Sequence, residues 1–255
     1  MAEAALFERE LDQARTRSAR TVNFSASGGH VPKEVLDRAA RDLIDWRRTG
    51  QGVLGLPFTG AQFRDLLAEA IAALRGLLGL PGNYRVLFMQ GGASAQFSLV
   101  PMNLLRGAQS ACYADTGYWS KRAIAEASRY CRVEVAPPSG PPGEAGRSAY
   151  LHITSNETAE GRQYRVFPRS GALPLVADMT SDLLTRPIDV SLFGLIYASA
   201  QKNIGAAGLT VIIVREDLLG GALPATPMAF DYRVQAQNNS LYNTPPIFAV
   251  HLAGL

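Results

Sequence analysis

The stretch Leu195-Ile196-Tyr197-Ala198-Ser199-Ala200-Gln201-Lys202-Asn203-Ile204-Gly205 decides how this chain folds. An apolar run over 192–198 ends in small residues, one lysine and a glycine turn. A second apolar run, 209–214, follows at once. Two such runs read as buried strands, which leaves Lys202 held between them. Desolvating that charge costs on the order of several kcal/mol unless it is paired or neutralised. One chemical reason for the placement is a neutral amine nucleophile, such as one that forms a Schiff base with a carbonyl.

Working outward, Pro174-Leu175-Val176-Ala177 is a short apolar run that ends in Asp178. Pyridoxal phosphate (PLP) uses this pair, a lysine for its aldehyde and an acid for its pyridinium nitrogen. Taken singly, each residue also fits a plainer role, a surface lysine and a helix-capping aspartate. A third feature joins them. Gln90-Gly91-Gly92-Ala93-Ser94 is a turn between a strand at 85–89 and a helix at 95–105. Small residues let the backbone approach an anion, and a helix N-terminus offers unpaired N–H groups.

The spacing predicts helices over 32–48, 62–78, 95–105 and 120–130. It predicts strands over 85–89, 110–113, 132–136, 150–154, 173–178, 195–198 and 209–214. Residues 137–145 read as a Pro/Gly loop. Strands alternating with helices predict an α/β fold, a mostly parallel sheet flanked by helices. Ligands of such sheets sit at the carboxyl ends of strands. Ser94, Asp178 and Lys202 all fall there.

Composition narrows the function. The 255 residues are 47% hydrophobic and 18% charged, with a net charge of +3, so a sizeable core is expected. Without a basic cluster, nucleic acid is not an indicated partner, and no apolar stretch has the length of a membrane span. Residues 1–20 read as a charged N-terminal lead and 21–255 as the main domain. The two cysteines, Cys112 and Cys131, give no disulfide framework, so a reducing, cytoplasmic setting is expected. No metal site is expected.

These residues carry a resemblance. The chain resembles the phosphoserine aminotransferase family of fold-type-I PLP enzymes, from Val22 to its last residue. The markers are Asn23-Phe24-Ser25, Tyr84-Arg85-Val86-Leu87-Phe88, Gln96-Phe97, Gly117-Tyr118-Trp119, Asn156-Glu157-Thr158, Arg186-Pro187-Ile188-Asp189-Val190, Gln201-Lys202-Asn203-Ile204-Gly205 and Asn243-Thr244-Pro245-Pro246. The resemblance implies the large domain of an aspartate-aminotransferase-like transferase. Lys202 would form the Schiff base and Asp178 would pair with the pyridine nitrogen. Trp119 would stack on the ring and Thr158 would bond its hydroxyl. Ala93, Ser94 and Gln201 would hold the phosphate, joined by Asn243 and Thr244 from the other subunit of a homodimer.

The chain also departs from the family pattern. Phe58 and Thr59 stand where the family carries a His-Arg pair for the substrate phosphate. Ala26-Ser27-Gly28-Gly29-His30 stands in place of an Ala-Gly-Pro-Ala signature. Ser27, Gly28, His30, Phe58 and Thr59 are therefore the expected substrate pocket. The stretch 248–255 resembles the start of the family's interdomain helix, so the small C-terminal domain is expected to be absent. The first expectation is a PLP enzyme acting on an amino acid or amine with altered substrate or reaction. The second is genuine phosphoserine:2-oxoglutarate aminotransferase, with anion contacts from residues such as Lys121, Arg162 or Arg165. The third is a non-catalytic PLP-binding or partner-binding remnant.

Overall fold

The computed structural model describes Arg9, residues 28–140 and residues 148–255. The expected N-terminal lead, Arg9 excepted, and the marker Asn23-Phe24-Ser25 lie outside the described residues.

Continuous apolar runs become strands covered on both faces. β1 (Tyr84–Met89), β2 (Ser110–Ala114), β3 (Arg132–Ala136), β4 (Leu151–Thr154), β7 (Leu175–Asp178), β8 (Leu195–Ser199) and β9 (Thr210–Arg215) form one seven-stranded sheet. Its order is β1-β9-β8-β7-β4-β2-β3. The pairs among β8, β7, β4, β2 and β3 are parallel, whereas β9 runs antiparallel to both β8 and β1. Every residue of β2, β4, β7 and β8 is buried, as strands in the middle of a layered α/β sheet must be. Two short strands, β5 (Asn156–Glu157) and β6 (Arg162–Gln163), make a hairpin that the sequence pattern did not predict.

One face of the sheet packs under α2 (Ala61–Leu78), which turns Phe63, Leu66, Leu67, Ala70 and Leu74 inward at helical spacing. A left-handed Gly79 (φ 58°) ends it. α1 (Lys33–Ile44) and α6 (Ile247–Gly254) share that side. The predicted helix over 32–48 stops at Ile44. Asp45 turns extended, and Arg47 and Arg48 take positive φ. The other face is covered by α3 (Gly92–Leu104), α4 (Tyr118–Ala127) and α5 (Tyr232–Gln237), with Tyr113, Tyr150, Tyr197 and Tyr232 buried beneath. α3 begins at Gly92, so Ala93 and Ser94 are its first turn and not the preceding loop.

Candidate cofactor-binding site

Five chain segments meet at one cavity, lined by Gly92, Ala93 and Ser94, by Trp119, by Thr154 and Asn156, by Asp178, Thr180 and Ser181, and by Ser199, Gln201 and Lys202. It opens at the carboxyl ends of the parallel strands. Lys202 follows β8 and is half-buried; burial lowers its pKa and Asp178 opposes that shift. Its Nζ lies 3.4 Å from Thr158 Oγ1 and 5.6 Å from the centre of the Trp119 ring. Trp119 Nε1 donates to the same Thr158 hydroxyl at 3.1 Å.

Asp178 ends β7 with only 5% of its surface exposed. Burial pushes its pKa up to about 6, against hydrogen bonds from Thr180 and the charge of Lys202. Thr180 N–H donates to Asp178 Oδ1 at 2.9 Å. Thr154, level with Asp178 in the neighbouring strand, has a buried hydroxyl without a partner among the described residues.

The β1–α3 turn forms the cradle. Gly91 and Gly92 take φ of 100° and 68°, where a side chain would be strained. A Cβ on Gly91 would stand 2.6 Å from Ala95 Cβ. Gly92 N–H donates to Thr210 Oγ1 at 2.9 Å. The N–H groups of Ala93 and Ser94 follow in the first turn, where no intrahelical acceptor exists. A buried carboxylate, a half-buried amine, an anion cradle and an orphan hydroxyl around one cavity fit a phosphorylated pyridine aldehyde.

Glu157 fixes the aromatic wall. It is fully buried and accepts from Trp119 N–H at 2.9 Å and Ser120 N–H at 2.8 Å, at the N-terminus of α4. Glu160 accepts from Tyr118 N–H at 2.9 Å. Two carboxylates thus satisfy the orphan donors of that helix and set the Trp119 ring over the cavity. Glu157 stands in a quoted sequence marker, but its role depends on a hairpin meeting a distant helix. Thr180 was also missed, though the Asp178-Met179-Thr180 spacing is an Asx-turn signal.

The structure does not bring every expected residue together. Asn243 lines a separate cleft with Phe88, Gln90 and Pro245, where its amide donates to Gln90 Oε1 at 3.1 Å. Thr244 is exposed. Phe58 packs against the core and Thr59 is exposed on the turn before α2; neither lines the cavity. Ser27 lies outside the described residues. Gly28 is exposed at φ 84°. Gly29 N–H donates to the Gln201 carbonyl at 2.8 Å, and a Cβ there would stand 1.6 Å from the Lys202 carbonyl oxygen, so this close approach requires glycine. His30 lines a second cleft, which meets Lys202 from the side of Ile204 and Leu252. Among the described residues no cluster has the makings of a metal site, and no helix is long and apolar enough to cross a membrane.

Comparison with known proteins adds an independent line. The aminotransferase class-V model matches residues 21–255. The phosphoserine aminotransferase of Laribacter hongkongensis is 52% identical over 91% of this chain and 68% of that protein. The solved phosphoserine aminotransferase from Bacillus circulans subsp. alkalophilus superposes with a TM-score of 0.86, at 43% identity, over 93% of this chain and 69% of that one. A PLP-bound phosphoserine aminotransferase from Trichomonas vaginalis superposes at 0.85, with 39% identity, over 92% and 69%.

Proposed function

Because this chain belongs to the phosphoserine aminotransferase family of class-V aminotransferases, we propose that it interconverts phosphoserine and its 2-oxo acid, with glutamate and 2-oxoglutarate as the second pair. It is a PLP-dependent aminotransferase. The observation that carries the reading is the cavity in which half-buried Lys202 and buried Asp178 share space with the Gly91–Ser94 cradle. PLP, when bound, supplies an aldehyde and an electron sink.

The chain's own residues do the rest. Lys202 offers its amine to the aldehyde and then carries a proton to and from the substrate carbon; burial lowers its pKa and favours the neutral form that both tasks need. Asp178 holds the ring nitrogen protonated. Trp119 stacks on the ring, and Thr158 orients the ring hydroxyl beside Lys202. Ala93, Ser94 and Gln201 hold the phosphate, with Asn243 and Thr244 reaching in from the second subunit of a homodimer. Residues 21–255 are the cofactor-binding large domain, and a cytoplasmic, biosynthetic setting fits this role. Borohydride reduction of the PLP-loaded protein followed by peptide mapping tests the assignment: an adduct on Lys202 is expected, and an adduct elsewhere would remove Lys202 from its role.

One observation favours a second reading, an aminotransferase for a less anionic amino acid or amine. Phe58 and Thr59 carry no charge, and Lys202 is the one cation among the described residues lining the cavity. A charge-assisted contact to phosphate contributes roughly 1.5–3 kcal/mol. An unmodified chain that already transaminates phosphoserine in preference to serine, alanine and small amines would dismiss this second reading.

A further inference from the structure

Two hydroxyls that the proposed chemistry leaves without a task lie beneath the phosphate cradle. Ser199 ends β8 and Thr210 begins β9, and the two are register partners, so their side chains leave the sheet on one face. Thr210 also pairs with Met89, the last residue of β1, from which the chain runs into the Gln90–Ser94 turn. Ser199 is 4% exposed and Thr210 is fully buried. A hydroxyl buried so deeply costs free energy unless it is hydrogen-bonded, and each of these two bonds a different part of the cradle.

Thr210 holds the backbone half. Its Oγ1 accepts from Gly92 N–H at 2.9 Å, and Ala95 N–H donates to the Gly91 carbonyl at 3.3 Å. The turn is thereby fixed with the N–H groups of Ala93 and Ser94 left for an anion. Ser199 holds the side-chain half. Its hydroxyl donates to Gln201 Oε1, an oxygen that can only accept. With that oxygen engaged, the Nε2–H donors of Gln201 are left for the cavity it lines. Turned over, the same amide would set its oxygen against a phosphate. Ser199 is itself tied to both ends of the site. Its N–H donates to Thr180 Oγ1 at 3.2 Å, and Thr180 N–H donates to Asp178. At the other end, a Cβ on Gly92 would stand 3.4 Å from Ser199 Oγ.

We propose that Ser199 and Thr210 are positioning residues for the phosphate monoester of the cofactor: Thr210 aims the backbone donors of the turn, and Ser199 aims the Gln201 amide. The proposal rests on the assignment of the Gly91–Ser94 turn and Gln201 to the phosphate of PLP. Its physical basis is the kind of donor present. Among the described residues lining the cavity, Lys202 is the one cation, and it serves the aldehyde. The phosphate is then held by neutral N–H groups, whose hydrogen bonds weaken steeply when misdirected. Direction is what the two hydroxyls supply.

The test is cofactor affinity rather than turnover. Cofactor-stripped protein is titrated with PLP and with pyridoxal, which has the ring and aldehyde but no phosphate, and binding is read from the cofactor's absorbance. Ser199→Ala and Thr210→Val are each expected to raise the Kd for PLP about three- to tenfold, the size of one neutral hydrogen bond, and to leave that for pyridoxal within about twofold. Thr210→Ser keeps the acceptor and is expected to keep the wild-type affinity for PLP; Thr210→Ala replaces Thr210→Val if the valine variant does not fold. In a Gln201→Ala background, Ser199→Ala is expected to add nothing, because it acts through that amide, whereas Thr210→Val is expected to keep its effect. Unchanged PLP affinity in either single variant would overturn the task given to that residue. Equal losses for PLP and pyridoxal would reduce both to structural residues and overturn the proposal. Ser199→Ala acting at full strength without the Gln201 amide would overturn its half. A wild-type protein that binds pyridoxal as tightly as PLP, or that takes up no PLP on Lys202, would instead overturn the functional reading on which the proposal rests.

Discussion

Asp178 is held in a state that the fold alone disfavours. Burial raises its pKa from the ordinary carboxylate range to about 6. Below about pH 4 the group is protonated folded or unfolded and contributes nothing to the difference. Between about 4 and 6 the folded chain holds a proton that the unfolded chain has lost, so stability falls as pH rises. Above about 6 the full cost applies, of order 3 kcal/mol at most. Asp178→Asn is therefore expected to stabilise the cofactor-free protein at pH 7.5 by about 1–3 kcal/mol, with the gain gone near pH 4. Urea midpoints at the two pH values check this, and a variant less stable at pH 7.5 would contradict it. The same variant is expected to release PLP more readily. Lys202 and Asp178 were legible in the sequence because Asp178 ends an apolar strand and Lys202 follows one, each a charge that breaks the apolar pattern. Thr154, Thr180 and Ser199 were not, because a threonine or serine at a strand end becomes a site residue only through the register of neighbouring strands.

At the scale of elements, the cavity depends on how α4 begins. Its first residues carry the Trp119 ring, and their N–H groups point at Glu157 and Glu160. Removing the Glu157 carboxylate leaves buried donors unpaired, which costs about 1–3 kcal/mol. Glu157→Ala is expected to lower stability by that amount and to weaken PLP binding through a displaced Trp119. Glu157→Gln keeps an acceptor and is expected to lose less. The protein has two tryptophans, so Trp46→Phe in the background isolates Trp119 fluorescence as the readout. An unchanged Trp119 signal in Glu157→Ala would show that the helix start is held by other contacts. Helix and strand identities followed from periodicity, but their ends did not. α4 starts at Tyr118, two residues before the predicted start, because the acceptors that cap it come from the β5–β6 hairpin some forty residues on. That hairpin has two residues per strand, too few to leave any alternation in the sequence.

At the scale of the molecule, the layered sheet was legible because strands buried on both faces read as unbroken apolar runs. The reversal of β9 was not, since an antiparallel strand buried on both faces has the same composition as a parallel one. The sites themselves pose the larger question. Asn243 is turned toward Gln90 and Gln235, away from the cavity of its own chain, yet the resemblance assigns it to a cofactor phosphate. The two statements agree if a two-fold dimer lends each cavity the Asn243 and Thr244 of its partner. Subunit mixing separates that arrangement from a self-contained site. A Lys202→Ala chain and an Asn243→Ala/Thr244→Ala chain are each expected to be nearly inactive alone. Refolded together in equal amounts, about half of the dimers are hybrids, and each hybrid has one site with both defects and one with neither. About one quarter of the wild-type activity should return, and its appearance should track the exchange of subunits. If each chain completed its own site, a hybrid would carry one defect in each cavity and mixing would restore nothing. No recovery from variants that are folded and dimeric would return Asn243 and Thr244 to a structural role beside Gln90.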